Sequence, residues 1–89
     1  MDLAGALGAI SLFEQLLPVE GEYEFHADLS ELRKYDADAR EAWTKVLRRQ
    51  HDRCTKIVIY GARPLVRMAA ATVAMLARLP IELKDKPPT

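Results

Sequence analysis

The spacing of hydrophobic residues changes several times along the chain, and each change marks a predicted helix or strand. In residues 2–17 the apolar side chains recur every three or four positions, which predicts an amphipathic helix that ends before Pro18 and Gly21. Residues 22–29 instead alternate between polar and apolar, which predicts a strand with one face toward the core and the other toward water. The apolar stripe of this first helix consists of Leu3, Ala6, Leu7, Ile10, Phe13 and Leu17.

The middle of the chain predicts a second helix and a second strand. Asp36 is a favourable N-cap residue. Residues 55–60 are rich in β-branched side chains and are followed by Gly61, which is typical of a strand. The apolar positions between them form one stripe of a helix: Ala39, Ala42, Trp43, Val46 and Leu47.

A third helix and a short last strand complete the pattern. Pro64 suits the first turn of a helix that runs to about Leu79, and residues 81–84 are predicted to be a strand. Apolar residues surround almost the whole axis of this helix, so it must be covered on more than one side. Three interpretations stay open: ordinary core packing, packing by the first helix, or a partner chain that covers a face rich in methionine and alanine.

The order of elements predicts an α/β domain with the layout α-β-α-β-α-β. The connections are long enough for right-handed crossovers, so we expect a three-stranded, mainly parallel sheet with the helices largely on one face. The other face is either open or partly covered by the first helix. We expect one domain over residues 1–84 and a flexible tail over residues 85–89. The second face carries Glu22, Glu24, His26, Lys56, Val58, Tyr60, Glu82 and Lys84.

Charge and composition exclude several classes of function. Thirteen basic and thirteen acidic residues cancel, so no overall field attracts nucleic acid or an anionic membrane. The most apolar stretch, residues 64–80, contains two arginines and is too short and too charged to span a bilayer. The single cysteine, Cys54, excludes an internal disulfide, and no basic stretch precedes the first apolar run. These features predict a cytoplasmic protein.

The chain contains no recognisable catalytic or metal-binding set. His51 and Cys54 are three residues apart, but a zinc site needs three or four ligands, so we predict no metal and no cofactor. His26 stands among acidic residues on the polar strand face, which we interpret as a solvated surface. We therefore predict that the protein is not an enzyme.

A weak anion-binding site is predicted at the turn between the second strand and the third helix. Gly61 forms this turn, and Arg63 and Arg67 lie near the amino end of the helix, where backbone N–H groups favour negative charge. A capped helix end with solvated arginines explains the same residues.

Two stretches of the chain resemble the STAS domain, the module of anti-sigma-factor antagonists and of sulfate-transporter tails. The first is the strand His-Ala-Asp-Leu-Ser at 26–30, the loop to Tyr35, and the helix start Asp-Ala-Asp at 36–38. The second is Lys-Ile-Val-Ile-Tyr-Gly at 56–61, followed by Pro-Leu-Val-Arg at 64–67. The resemblance extends over residues 22–84 and implies a protein-interaction module. A related lineage of STAS-like proteins is similar to a lipid-carrying fold.

The chain departs from the family pattern at two places. In the family, the helix begins with Asp-Ser-Ser-Gly, and a partner kinase that is also an anti-sigma factor phosphorylates the first serine. Ala37 occupies that position here and has no hydroxyl. The usual domain also opens with a pair of strands, whereas this chain starts directly with a helix, so one edge of the strand at 22–29 is left unpaired and a dimer or a complex is expected.

The resemblance implies a non-catalytic regulator in a bacterial cytoplasm that binds an anti-sigma factor or a kinase-like protein. The unpaired strand edge and the apolar third helix predict a homo-oligomer. Two alternatives remain: a domain that binds a lipid or an anionic ligand between the third helix and the Gly61 turn, and a purely structural homo-oligomer subunit. The partner-binding surface is predicted to consist of Ser30, Arg33, Lys34, Asp36, Ala37, Asp38 and Arg40.

Overall fold

In the computed structural model, which describes residues 1–86, helices and strands alternate in the predicted order. The helices are α1 (Leu3–Leu16), α2 (Ala37–Arg49) and α3 (Pro64–Ala77), and the strands are β1 (Tyr23–Asp28), β2 (Cys54–Tyr60) and β3 (Ile81–Lys84). The strand order is β1-β2-β3, and both neighbouring pairs are parallel. The predicted small α/β domain with a three-stranded parallel sheet is therefore confirmed.

The ends of the helices follow from local chemistry. At the start of α1, the Asp2 carboxylate accepts a hydrogen bond of 2.8 Å from the backbone N–H of Gly5, which satisfies a donor that the helix leaves free. At the end of α3, Arg78 adopts a left-handed conformation with φ of 62°, so the helix stops two residues before the predicted Leu79. The buried Leu79 then leads the chain into β3.

Four aromatic side chains attach the first two helices to one face of the sheet. The ring of Phe13 in α1 lies 4.7 Å from Phe25 and 6.3 Å from Tyr23, both in β1, and 5.7 Å from Trp43 in α2. Trp43 in turn stacks on Phe25 at 5.6 Å. All three helices thus cover the same face, because α2 also packs against α3.

No helix within residues 1–86 covers the opposite face of the sheet. This face is therefore open, and the alternative that the first helix partly covers it is wrong. Val58 belongs to this face and is nevertheless only 1% exposed. It lies in register between His26 on β1 and Glu82 on β3. The long polar side chains of the strands themselves therefore exclude water from the centre of this face.

Two predicted core positions turn out to be largely exposed. Leu7 is 55% exposed and Leu3 is 39% exposed, although both belong to the predicted apolar stripe of α1. Both leucines line an open groove between α1 and α2, opposite Glu41 and Lys45, so they lie at the outer side of this helix–helix contact and stay accessible to water. Of the predicted flexible tail, Asp85 contacts Arg67, and residues 87–89 lie outside the described part of the chain.

Replacing Phe13 by alanine should lower the free energy of unfolding by about 3–5 kcal/mol, because it removes the ring that joins α1 to β1 and α2. Urea denaturation followed by circular dichroism measures this loss. The matched control is Leu16→Ala in the same helix, which should change stability by less than about 0.5 kcal/mol, since Leu16 is 74% exposed. Equal losses in the two variants would contradict this description of the core.

Candidate partner-binding surface

The predicted partner-binding residues follow β1 at the carboxyl edge of the sheet. The backbone N–H of Ser30 donates to the Asp28 carboxylate at 2.9 Å, and the hydrogen bonds from Ser30 lower the pKa of that carboxyl group. The N–H of Leu29 donates to the carbonyl of Tyr60 at 3.0 Å, and that of Leu32 donates back to Leu29 at 3.1 Å. The first part of the loop is thus a hydrogen-bonded turn that continues the sheet.

The last part of this loop is fixed by the start of the chain. The amino group of Met1 donates to the carbonyl of Lys34, and the carbonyl of Met1 accepts a hydrogen bond of 2.9 Å from the N–H of Asp36. The indole N–H of Trp43, which is itself buried, points at the Met1 sulfur at 3.4 Å. Residues 34–36 are therefore bound on both sides and present their side chains on a fixed backbone.

The first turn of α2 displays charges of both signs. Asp36 occupies the predicted N-cap position, but its side chain makes no capping hydrogen bond and instead lies 3.8 Å from Lys34. The carboxylate of Asp38 accepts from the N–H of Ala39 at 2.8 Å. Asp38 and Ala37 are exposed, as are the two basic residues before them in the loop.

Arg40 differs from the other members of this set because it is half-buried. Its Nε is enclosed and has no hydrogen-bond partner within residues 1–86. Burial raises the pKa of the neighbouring Tyr35 hydroxyl, and the positive charge of Arg40 opposes that rise. Arg40 lines an open groove between α2 and α3, and the exposed charges of the set are Arg33, Lys34 and Asp38.

The Gly61 turn lies directly against this surface. Gly61 has φ of +67°, and a Cβ at this position would come within 2.9 Å of the Cβ of Ser30. Its own N–H donates to the carbonyl of Lys84 at 2.8 Å. Only glycine therefore combines the left-handed conformation with this close approach.

The predicted anion site at this turn already holds a carboxylate of the same chain. Arg67 donates to Asp85 at 2.6 Å, and Arg63 is exposed at the N-cap position of α3 with no capping hydrogen bond from its side chain. The N–H of Gly61 is bound to β3 as described above. Of the three predicted residues, Arg63 is the one whose charge faces water within the described part of the chain.

The outer face of the sheet carries a connected polar network. With its proton on Nε2, His26 donates to Glu24 at 2.9 Å and accepts from the hydroxyl of Tyr60 at 2.7 Å. The hydrogen bond from His26 lowers the pKa of Glu24, and a 3.0 Å pair between Lys56 and Glu82 lowers the pKa of Glu82 and raises that of Lys56. The sequence placed Tyr60 and His26 on the same face of the sheet, but their hydrogen bond was not predicted because it depends on the register of β1 against β2.

Two cavities bear on the alternative of ligand binding. The interior cavity between helices and sheet, lined among others by Phe25, Trp43 and Ile57, has a volume of about 50 Å³, which is far below the roughly 300 Å³ of an ordinary ligand pocket. An open, largely apolar groove of about 480 Å³ runs between α1 and β1. This groove was not predicted from the sequence, because Leu12 and Leu16, which line it, fall outside the predicted stripe of α1.

Within residues 1–86, no helix has the length and apolar character that a membrane span requires, and no three His, Cys, Asp or Glu side chains converge on a point where a metal ion would fit. Cys54 is buried at the start of β2, as expected for a small core residue, and burial raises the pKa of its thiol. Comparison with protein families, characterised proteins and solved structures found no match to this chain.

Replacing Gly61 by alanine should destabilise the domain by about 1–3 kcal/mol, because the new Cβ requires a strained left-handed conformation and displaces Ser30. Thermal and urea unfolding measure the loss, and backbone NMR shifts should change at Ser30. The control is Gly8→Ala in α1, where the new Cβ meets nothing within 4 Å. This substitution should stabilise the helix by about 0.5–1 kcal/mol. A neutral Gly61→Ala variant would show that the two segments are not in contact.

Proposed function

We propose that this protein is a non-catalytic interaction module similar to the anti-sigma-factor antagonists, and that it binds a regulatory protein through the α2-start surface. This surface is the loop after β1 together with the first turn of α2. The resemblance of residues 22–84 to the STAS domain supports an anti-sigma factor or a kinase-like regulator as the partner. The α2-start surface consists of Ser30, Arg33, Lys34, Asp36, Ala37, Asp38 and Arg40.

The observation that carries this proposal is the fixed backbone beneath exposed charges. The contacts of Met1 with Lys34 and Asp36, and of Gly61 with Ser30, order the loop before any partner arrives. A surface that is already ordered loses little conformational entropy on binding, which favours affinity. Charges of both signs close together favour one orientation of the partner over others.

Ala37 determines how such binding would be regulated. Because alanine has no hydroxyl, a kinase cannot switch this position by phosphorylation. Asp38 supplies a single negative charge one residue further on, with fewer acceptor oxygens than a phosphate. The proposed module therefore binds its partner constitutively, and regulation falls to the partner or to the amount of protein present.

The test exchanges two charges on the α2-start surface without altering the net charge. The variant Arg33→Asp with Asp38→Arg should weaken partner binding by about tenfold or more, because both charges then face the partner with the wrong sign. The measurement immobilises each form of the protein, identifies the retained proteins of the source organism by quantitative mass spectrometry, and determines the affinity of the retained regulator.

The matched control is Arg49→Asp with Asp52→Arg at the far end of α2. It also exchanges one basic and one acidic residue, and like the test variant it places an unfavourable charge at a helix terminus. The control should retain the partner with unchanged affinity, and circular dichroism should show both variants folded. If the test and control variants retain the same proteins equally well, the α2-start surface does not bind a partner.

The exposed side of α3 favours a second candidate function, a homo-oligomer subunit. One face of this helix is packed in the domain, and α1 does not cover the other, since α1 packs on α2. That other face carries apolar side chains at helical spacing that are 47–75% exposed, namely Leu65, Met68, Met75 and Leu76. Water contact with such a stripe is unfavourable, and a second copy would remove it.

Light scattering over a range of protein concentrations tests this second candidate. The wild-type protein should be a dimer, and Met68→Glu with Met75→Glu should be a monomer because two buried carboxylates would oppose the contact. Leu7→Glu, which also replaces an exposed apolar residue but in α1, should leave the dimer intact. A wild-type protein that is monomeric at every concentration would rule out oligomerisation through α3. Of the two candidate functions, binding of a regulatory protein through the α2-start surface would then remain.

A further inference from the structure

The layer of helices is wider than the sheet that it covers. Since α2 packs against both α1 and α3, the three helices lie side by side, and with axes about 8–10 Å apart they span about 16–20 Å. Three strands about 4.8 Å apart span about 10 Å. The outer helices therefore extend beyond the edge strands, and α1 overhangs the free edge of β1.

The backbone of β1 offers unused hydrogen-bonding groups along this edge. The N–H groups of Tyr23 and Leu29 donate to Arg53 and Tyr60 at 2.9 and 3.0 Å, so the odd-numbered residues of the strand point toward β2. Because successive residues of a strand point to opposite sides, the N–H and C=O groups of Glu24, His26 and Asp28 point away from the sheet. Within residues 1–86 no strand pairs with β1 on that side.

The space beside this edge is the open groove of about 480 Å³. Its roof is α1, through Leu12 and Leu16, and its inner wall is formed by Tyr23 and Phe25 of β1. Leu12 is 58% and Leu16 is 74% exposed, so both would lose contact with water if the groove were filled. The groove thus lies where a fourth strand would pair with β1. Every second side chain of such a strand would point toward the exposed leucines of α1.

The charge around the groove is mostly negative, and the exception is Arg53, whose guanidinium donates to the carbonyls of Pro18 and Gly21 at one end. Residues 1–32 contain seven acidic residues and no lysine or arginine, whereas all thirteen basic residues lie in the rest of the chain. On the outer face, Glu24 and Asp28 lie along the free edge, close to where the outer side chains of an added strand would be. Basic side chains at those positions would be attracted, and acidic ones repelled.

We propose that β1 accepts an added strand from an unfolded segment of another protein, in which apolar and basic side chains alternate. The apolar residues would fill the groove beneath α1, the basic residues would face Glu24 and Asp28, and the backbone would pair with the free edge. A second copy of this chain does not fit as well, because its edge strands are themselves overhung by α1 or α3, and that helix would collide with the α1 that roofs the groove.

A peptide-binding experiment tests this proposal directly. The probe is a fluorescent nine-residue peptide that alternates lysine and valine, titrated with the protein and followed by fluorescence anisotropy. It should bind, with affinity that falls as salt is added, and NMR shifts should change along β1. A version N-methylated at alternate residues, which cannot donate backbone hydrogen bonds along one edge, should bind about tenfold more weakly.

Two matched variants separate the groove from the rest of the surface. Leu16→Lys should lower the affinity about tenfold or more, because it removes the apolar roof and repels the peptide. Leu7→Lys, at an exposed leucine of α1 that lies outside this groove, should leave the affinity unchanged. Neither substitution removes a buried contact, so both proteins should fold.

Three results would overturn the proposal. The first is equal binding of a peptide of the same composition with its lysines and valines in separate blocks, which would show plain charge attraction. The second is equal binding by the Leu16→Lys and Leu7→Lys variants. The third is a dimer that excludes the peptide and that Leu16→Lys converts to a monomer, which would show that the occupant of the groove is a second copy.

Discussion

The packing of Trp43 between α1 and the sheet is the contact on which the rest of the structure depends. Its ring stacks on Phe25 of β1 and meets Phe13 of α1 edge-on, so one side chain of α2 connects three elements. Aromatic groups of this size bury large areas and supply much of the core in so short a chain. The same ring also holds Met1, and through Met1 the loop that leads into α2.

This central position of α2 has consequences on both sides of the domain. On one side it places the first turn of α2 at the carboxyl edge of the sheet, next to the loop after β1 and the Gly61 turn. On the other side it spreads α1 and α3 apart, so that both extend beyond a three-stranded sheet. The proposed α2-start surface and the groove beneath α1 are thus two results of the same packing arrangement.

The two surfaces also differ in chemistry. The α2-start surface is polar and mixed in charge, whereas the groove is largely apolar, with Glu24 and His26 in its lining and Arg53 bound at one end. The chain is neutral overall, yet its acidic and basic residues are unevenly distributed between the α1–β1 part and the remainder. A neutral net charge is compatible with a local excess of negative charge around residues 1–32 that attracts basic side chains.

The outer face of the sheet has a different character again. His26 forms hydrogen bonds with Glu24 and Tyr60, and Lys56 forms one with Glu82. The polar side chains of this face are therefore hydrogen-bonded to one another. These side chains also exclude water from Val58. These contacts therefore help to stabilise the face of the sheet that no helix of residues 1–86 covers.

Local patterns in the sequence were sufficient for the order and type of the elements. The alternation in residues 22–29, the β-branched run before Gly61 and Pro64 at a helix start each reflect short-range geometry, and all of them agree with the structure. The parallel sheet followed as well, because connections of this length allow little else. The positions of the α2-start residues along the chain were likewise predictable, since they flank a strand end and a helix start.

Only the tertiary structure decided which faces of the helices and of the sheet are covered and which are open. The periodicity of α1 predicted Leu7 inside and gave no role to Leu12 or Leu16, because a helical wheel shows which residues share a side but not how wide the opposing sheet is. The contact of Gly61 with Ser30 and the fixing of Lys34 and Asp36 by Met1 join residues about thirty positions apart. Pairings at that separation depend on how three helices share one narrow sheet, which no local spacing encodes.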